Sequence, residues 1–442
     1  MVFKSTLVKA HWDNWCHRWK GTYYLYFLIT EHSGGEGFGV ATSPDGVHWE
    51  DHGWALRASD KMVDYLGTGA VWKAADFRRT GRFLCNYSEW RVEPGTAKKT
   101  QNILFAESRD LLHWTKLSDE TMFRVDPEHY DPYGRWDCIY PMPRVEGGYW
   151  GTWTATARPD SPHQGIVGLG WSADGLHWTA VEPPEVTPGV GESGAFWRFG
   201  DRIHAMFGAG MTMWSYSADQ VTGPYVRASR NPLLLSADHT YFSRFLPLDG
   251  GTVLVNHQSN SDLGWHIAPL KKAVVDGRGD LRLVWWRGNA KLKGQRLSPK
   301  RLGGGGLELP VPVDLNHGAV IEGKVRLPDV EEPPVGLRLL LEGGKAYDLR
   351  VQANGACEVG EAPLHGMPWK AALSMDRQRH FPLEPRFRLL LRRGMLEFYL
   401  DEELILCFRL QGAGTLNLLG IAPLSSAPQR AMSDLKLWAM SL

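Results

Sequence analysis

One unit recurs along the first two thirds of the chain, and it constrains the fold more than any other feature. Its clearest copies are Ser43-Pro44-Asp45-Gly46-Val47-His48-Trp49, Ser108-Arg109-Asp110-Leu111-Leu112-His113-Trp114 and Ser172-Ala173-Asp174-Gly175-Leu176-His177-Trp178. Ser43, Ser108 and Ser172 stand 65 and 64 residues apart. A degenerate fourth copy starts at Trp214-Ser215-Tyr216-Ser217-Ala218-Asp219, and Leu263-Gly264-Trp265-His266-Ile267-Ala268 suggests a fifth. Each copy reads as a short strand, a Ser-x-Asp turn and an aromatic residue opening the next strand. Five units over residues 1–294 give about 59 residues each, near the period of a large propeller blade.

A strand pair precedes most copies, as in Thr22-Tyr23-Tyr24-Leu25-Tyr26-Phe27-Leu28 and Arg82-Phe83-Leu84-Cys85-Asn86-Tyr87. No long segment of helical period interrupts them, so this part reads as all-β. The expected architecture is a five-bladed β-propeller over residues 1–294. Residues 287–301 then carry six Lys or Arg and no acid, ahead of Gly303-Gly304-Gly305-Gly306. A solvated linker over 295–306 is the expectation there. Residues 307–442 hold longer alternating strands, such as Ala319–Leu327 and the hairpin Met395–Phe408, which suggests a β-sandwich.

Composition removes several classes of function. Lys plus Arg and Asp plus Glu both number 49, so no basic excess marks a nucleic-acid or anionic-membrane partner. No apolar run is long enough to span a bilayer. The five cysteines are scattered and form no C-x-x-C, which argues against a disulfide framework or a zinc site. The first ten residues lack a basic-then-apolar signal pattern, so reduced thiols and a cytoplasmic location are expected. No dinucleotide, P-loop, G-x-S-x-G or H-E-x-x-H motif occurs, and neither a cofactor nor a metal is expected. His48, His113 and His177 occupy equivalent turn positions and read as structural.

A propeller gathers the starts of its innermost strands around one channel, so acids just before those strands converge. Three qualify. Asp13 precedes the strand Thr22–Leu28, Asp137 precedes Tyr149–Trp153, and Glu192 precedes Arg202–Phe207. Asp64 holds the related place in blade two. Paired carboxylates are what glycosidic cleavage needs: one protonates the leaving oxygen, and the other attacks the anomeric carbon or activates water. Tryptophan supports the same substrate class, because indole faces pack sugar C–H surfaces. Of 20 Trp, 18 lie in residues 1–294. Trp15, Trp72, Trp90, Trp136 and Trp197 are the candidate sugar walls, while Arg135, Asp238 and His239 are candidate hydroxyl binders.

The pattern resembles the five-bladed propeller furanosidases, above all the invertase and fructosidase group of glycoside hydrolase family 32. The arabinofuranosidase and xylosidase group of family 43 is a more distant likeness. Asp13 before Gly21-Thr22-Tyr23-Tyr24-Leu25-Tyr26 matches the position of the family 32 nucleophile. Arg135-Trp136-Asp137-Cys138 is similar to its Arg-Asp-Pro motif, with an inserted Trp, and Glu192-Ser193-Gly194 matches the acid of Glu-Cys-Pro. The resemblance implies an exo-acting hydrolase of short β-fructofuranosides. Asp13 would be its nucleophile, Asp137 its transition-state stabiliser and Glu192 its acid/base. It also implies the terminal sandwich, since Arg393–Asp401 resembles that domain's hairpin. The expected partner is an oligosaccharide or small glycoside. An inverting arabinofuranosidase or xylosidase and a non-catalytic carbohydrate-binding propeller stay open. The carboxyl separation that divides retention from inversion is not in the sequence.

Overall fold

The computed structural model describes residues 2–6, 10–30, 35–67, 69–210, 212–231, 233–235, 240–261, 263–302, 306–363, 367–424 and 432–442. It is nearly all β, and no described helix is long and apolar enough to cross a membrane. The chain divides into two compact units, one of residues 3–234 and 241–258, the other of residues 1–2, 235–240 and 259–442.

The first unit is a β-propeller of antiparallel blades. Blade one runs Ala10–Trp19, Thr22–Thr30, Gly35–Ser43 and Glu50–Arg57 in sequential order. In blade two, Leu66–Gly67 and Val71–Lys73 both pair with Phe83–Val92, which is followed by Lys99–Ser108 and Thr115–Lys116. Blade three runs Trp136–Pro143, Tyr149–Ala155, Val167–Ser172 and Thr179–Val181. Blade four runs Glu192–Phe199, Arg202–Ala209, Thr212–Ala218 and Tyr225–Arg227. Residues 241–258, from the paired strands Thr240–Pro247 and Val253–Ser261, supply the fifth position.

The recurrent Ser-x-Asp turn has a physical basis. Ser43 Oγ accepts from the Gly46 N–H at 2.8 Å, while Asp45 Oδ1 accepts from the N–H groups of Val47 and His48 at 3.0 and 2.9 Å. Asp45 Oδ2 meets His48 Nδ1 at 2.9 Å. The same set forms at Ser108–His113 and Ser172–His177. Two side chains thus satisfy the donors that a tight turn leaves unpaired. The repeated histidines belong to these turns. Aromatic residues fill the layers between sheets: Trp15 stacks on Tyr26 at 5.3 Å and meets Phe38 edge-on at 5.2 Å.

The second unit holds two antiparallel sheets. One contains Glu403–Arg409, Met395–Leu400, Arg386–Arg392, Ala319–Val325, Met432–Met440 and Lys293–Leu297, in that order. The other is built around Leu307–Asp314, Asn417–Leu424, Val335–Leu341, Ala346–Val351 and Cys357–Glu361. Two features differ from the linear reading. Lys271–Val275 and Leu281–Trp285 lie in this unit, where Val284 pairs with Glu403. The basic stretch is also not a free connector. Arg287–Leu292 is a 3-10 helix, Lys293–Leu297 pairs with Met432–Met440, and Lys300–Arg301 pairs with Leu307–Asp314. Its charges are used locally, as in the 2.6 Å pair of Lys293 with Glu322. Gly303, Gly304 and Gly305 lie outside the described residues.

Candidate active site

Asp13, Asp137 and Glu192 sit on the innermost strands of blades one, three and four, and each is at or beside a β-bulge. Register slips between Trp12 and Asn14, between Asp137 and Tyr140, and between Ser193 and Ala195. Asp13 has φ +23° and Cys138 φ +68°, a left-handed geometry that Asp tolerates better than most residues. A bulge breaks the alternation of a strand and re-aims one side chain. It also strips backbone groups of their ladder partners, and neighbouring strands supply replacements. Asn86 Nδ2 donates to Ile139 O at 2.9 Å, and its Oδ1 accepts from Ile139 N at 3.0 Å. Asn256 Nδ2 donates to Asn14 O at 3.0 Å. Thr154 Oγ1 accepts from Ser193 N at 3.0 Å.

The carboxylates share one polar cluster. Arg135 Nη2 donates to Asp137 Oδ2 at 3.1 Å and lies 3.3 Å from Glu192 Oε1, so one guanidinium joins two acids. Asp137 is fully buried. Its Oδ1 accepts from the Ser88 hydroxyl and, at 2.9 Å, from the Cys138 thiol. Gln101 Nε2 in turn donates to Ser88 Oγ at 3.3 Å, and Gln101 Oε1 accepts from Trp136 N at 3.0 Å. Glu192 Oε1 accepts from Thr154 Oγ1 at 2.6 Å. The Tyr65 hydroxyl approaches Asp13 Oδ2 at 3.5 Å.

Burial and mutual repulsion shape the titration of this cluster. Burial, then the charge of Glu192, pushes Asp13 up to about 7, against the opposing pull of Arg244 and Arg135. Burial also raises Glu192, with Asp137 adding to it and Arg135 and Thr154 resisting. Both acids are thus held toward their protonated forms. Burial works to lower Arg135, but Asp137 and Glu192 outweigh it and keep the guanidinium charged. Burial and the nearby acids hold Tyr65 well above its ordinary value, so it stays a hydroxyl donor. Two acids with raised titration beside a third that Arg135 joins to one of them make acid-base chemistry at a glycosidic bond feasible.

The other expected residues are distributed less simply. Arg135 is in the cluster. Trp136 is fully buried among Phe123, Tyr130 and Trp153, with its indole N–H on Phe123 O at 3.0 Å, so it is blade core rather than a sugar wall. Trp72 donates to Gly175 O at 3.1 Å and packs on Trp178 and Phe105. Trp15, Trp72 and Trp197 line a cavity of about 320 Å³ that the three acids do not line. Trp90 is half-buried, and its backbone N–H donates to Tyr65 O at 3.4 Å. Asp64 is largely exposed and faces Lys99 at 3.4 Å, so its neighbour Tyr65 takes the blade-two place in the cluster. Asp238 and His239 lie outside the described residues. Sequence reasoning missed Tyr65, Ser88, Thr154, Gln101 and Arg244. Only Tyr65, one residue from a named candidate, carried a positional signal.

Residues 13–197 match the glycosyl hydrolases family 32 N-terminal domain, a span that begins at Asp13 and includes Asp137 and Glu192. Among solved structures, a Bombyx mori family 32 beta-fructofuranosidase is similar at a TM-score of 0.71 and 14% identity, covering 98% of this chain and 92% of that one. A mutant of that enzyme in complex with sucrose matches at a TM-score of 0.67 and 13% identity, over 97% and 92% of the two chains. The fructofuranosidase of Schwanniomyces occidentalis complexed with fructose matches at 0.70 and 11% identity, over 98% and 96%. At these identities the structural likenesses establish a common fold. No curated protein matches the sequence.

Proposed function

We propose that this glycoside hydrolase, whose residues 13–197 form a family 32 N-terminal domain, releases terminal fructofuranosyl units from short β-fructofuranosides such as sucrose. The observation that carries this reading is the convergence of three acids from three blades, two of them joined by Arg135. The sucrose complex of a similar fold supports the choice of substrate.

Asp13 is the nucleophile in this reading. Its carboxylate attacks the anomeric carbon as the bond to the leaving oxygen breaks, and Glu192 gives that oxygen its proton. Glu192, now ionised, takes a proton from water. The water oxygen attacks the anomeric carbon, and the Asp13 carboxylate is released. Asp137, which accepts from Ser88, Cys138 and Arg135, faces the oxocarbenium-like transition state and accepts hydrogen bonds from ring hydroxyls. Tyr65 orients Asp13.

The test is sugar release from sucrose, short inulin- and levan-type oligosaccharides, and aryl arabinofuranosides and xylosides, with Glu192→Gln alongside. Fructose release that disappears in Glu192→Gln is the expected result. Pentose release lost in the same way would replace the fructoside assignment. Saccharide binding without turnover would replace the catalytic one.

A further inference from the structure

Three of the four side chains that repair the bulges of the inner strands are neutral: Asn86, Asn256 and Thr154. The fourth is not. Arg244, 1% exposed, reaches from the fifth-position strand to the bulge of blade four, directly after Glu192. Its Nη1 donates to Ser193 O at 3.3 Å and, more closely, to Gly194 O. Its guanidinium lies 3.9 Å above the Phe242 ring. Its Nε and Nη2 have no partner among the described residues. Burying a guanidinium to satisfy two carbonyls is expensive when an amide or hydroxyl does the same work at the other bulges.

We propose that Arg244 is a positioning residue that both fixes the bulge aiming Glu192 and sets a buried positive charge beside the acid cluster. Charge counting supports this. Three acids, Asp13, Asp137 and Glu192, stand in the cluster against two guanidinium groups, those of Arg135 and Arg244. Without Arg244 the three buried acids face one guanidinium, which favours their protonated forms. The other groups facing the cluster are Tyr65, Cys138 and Tyr241, and Tyr140 faces Arg244; all are held protonated by burial and therefore uncharged. The cavity lined by Arg244 also carries His17, which burial lowers to about 4, together with Arg18, Lys73 and Asp249. No ion pair of Arg244 with Asp249 occurs among the described residues.

This inference rests on the catalytic reading above, and its test separates the two. The pH dependence of kcat/KM on sucrose is measured for the wild type, Arg244→Met and Arg244→Lys, beside carboxyl titrations by carbon NMR on protein labelled at Asp and Glu. In Arg244→Met both limbs of the bell should move to higher pH, because both Asp13 and Glu192 lose a favourable charge. A shift of one pH unit leaves about tenfold less active enzyme on the acid side. Arg244→Lys keeps the charge and loses the fork, so its limbs should stay while kcat falls. A folded Arg244→Met with unmoved limbs and unmoved carboxyl titrations overturns the proposal. If the wild type cleaves nothing but the carboxyl titrations move up in Arg244→Met, the catalytic reading fails while the charge of Arg244 on the acid cluster stands. Should Arg244→Met not fold, Arg244→Gln carries the same measurement.

Discussion

Gly67 lies directly against the Asp137 carboxylate. A Cβ on Gly67 would fall far inside van der Waals contact with Asp137 Oδ1 and Ser88 Oγ. The short strand Leu66–Gly67 approaches Asp137 this closely only because it carries no side chain there. Gly67→Ala should therefore push Asp137 out of line while leaving the blade folded. We expect kcat/KM to fall about 100-fold, the scale of a misplacement near 1 Å. Steady-state kinetics with a thermal melt checks this, and unchanged kinetics in a folded variant would contradict it.

Asp13 should oppose folding as it ionises. Its folded value near 7 is raised above the ordinary 3.8, so the folded state binds its proton more tightly than the unfolded chain does. Stability from this group is full below about pH 4 and is lost as pH rises toward 7. The span between the two values is worth up to about 4 kcal/mol. Asp13→Asn should thus raise Tm at pH 7 and do so much less at pH 4, while turnover drops by several orders of magnitude. Calorimetry at the two pH values reads the difference, and an equal Tm change at both would contradict it.

Glu192 acts on the leaving oxygen, so its removal should depend on what leaves. Glu192→Gln should lower kcat on sucrose by about 10²–10⁴-fold. The loss should shrink on an aryl fructoside whose phenolate needs no proton. Equal losses on both substrates would remove the acid role from Glu192.

Trp136 separates a core from a sugar platform. Trp136→Phe loses the indole bond to Phe123 O and part of the packing on Tyr130 and Trp153. We expect about 1–2 kcal/mol of lost stability with KM within about twofold. A tenfold rise in KM without a lower Tm would place the ring at the substrate.

The repeat alone determined much of this protein. The Ser-x-Asp-x-x-His turn is a local device, closed by hydrogen bonds within six residues, so its spacing exposes the blade count and the strand pairs. Asp13, Asp137 and Glu192 were legible for the same reason, since a repeated frame places equivalent residues at one end of a channel. Arg135 was legible because it lies two residues from Asp137. What the tertiary structure decided is the rest of the cluster. Ser88 meets Asp137 across 49 residues, Thr154 meets Glu192 across 38, and Arg244 meets Gly194 across 50. Such partners depend on how adjacent blades set their bulges, and no period in the sequence records that. Burial likewise separated Trp136, sealed in its blade, from Tyr65, which faces the acids. An aromatic residue on an inner strand reads the same from sequence in either case, and only packing against Phe123, Tyr130 and Trp153 assigns Trp136 to the core.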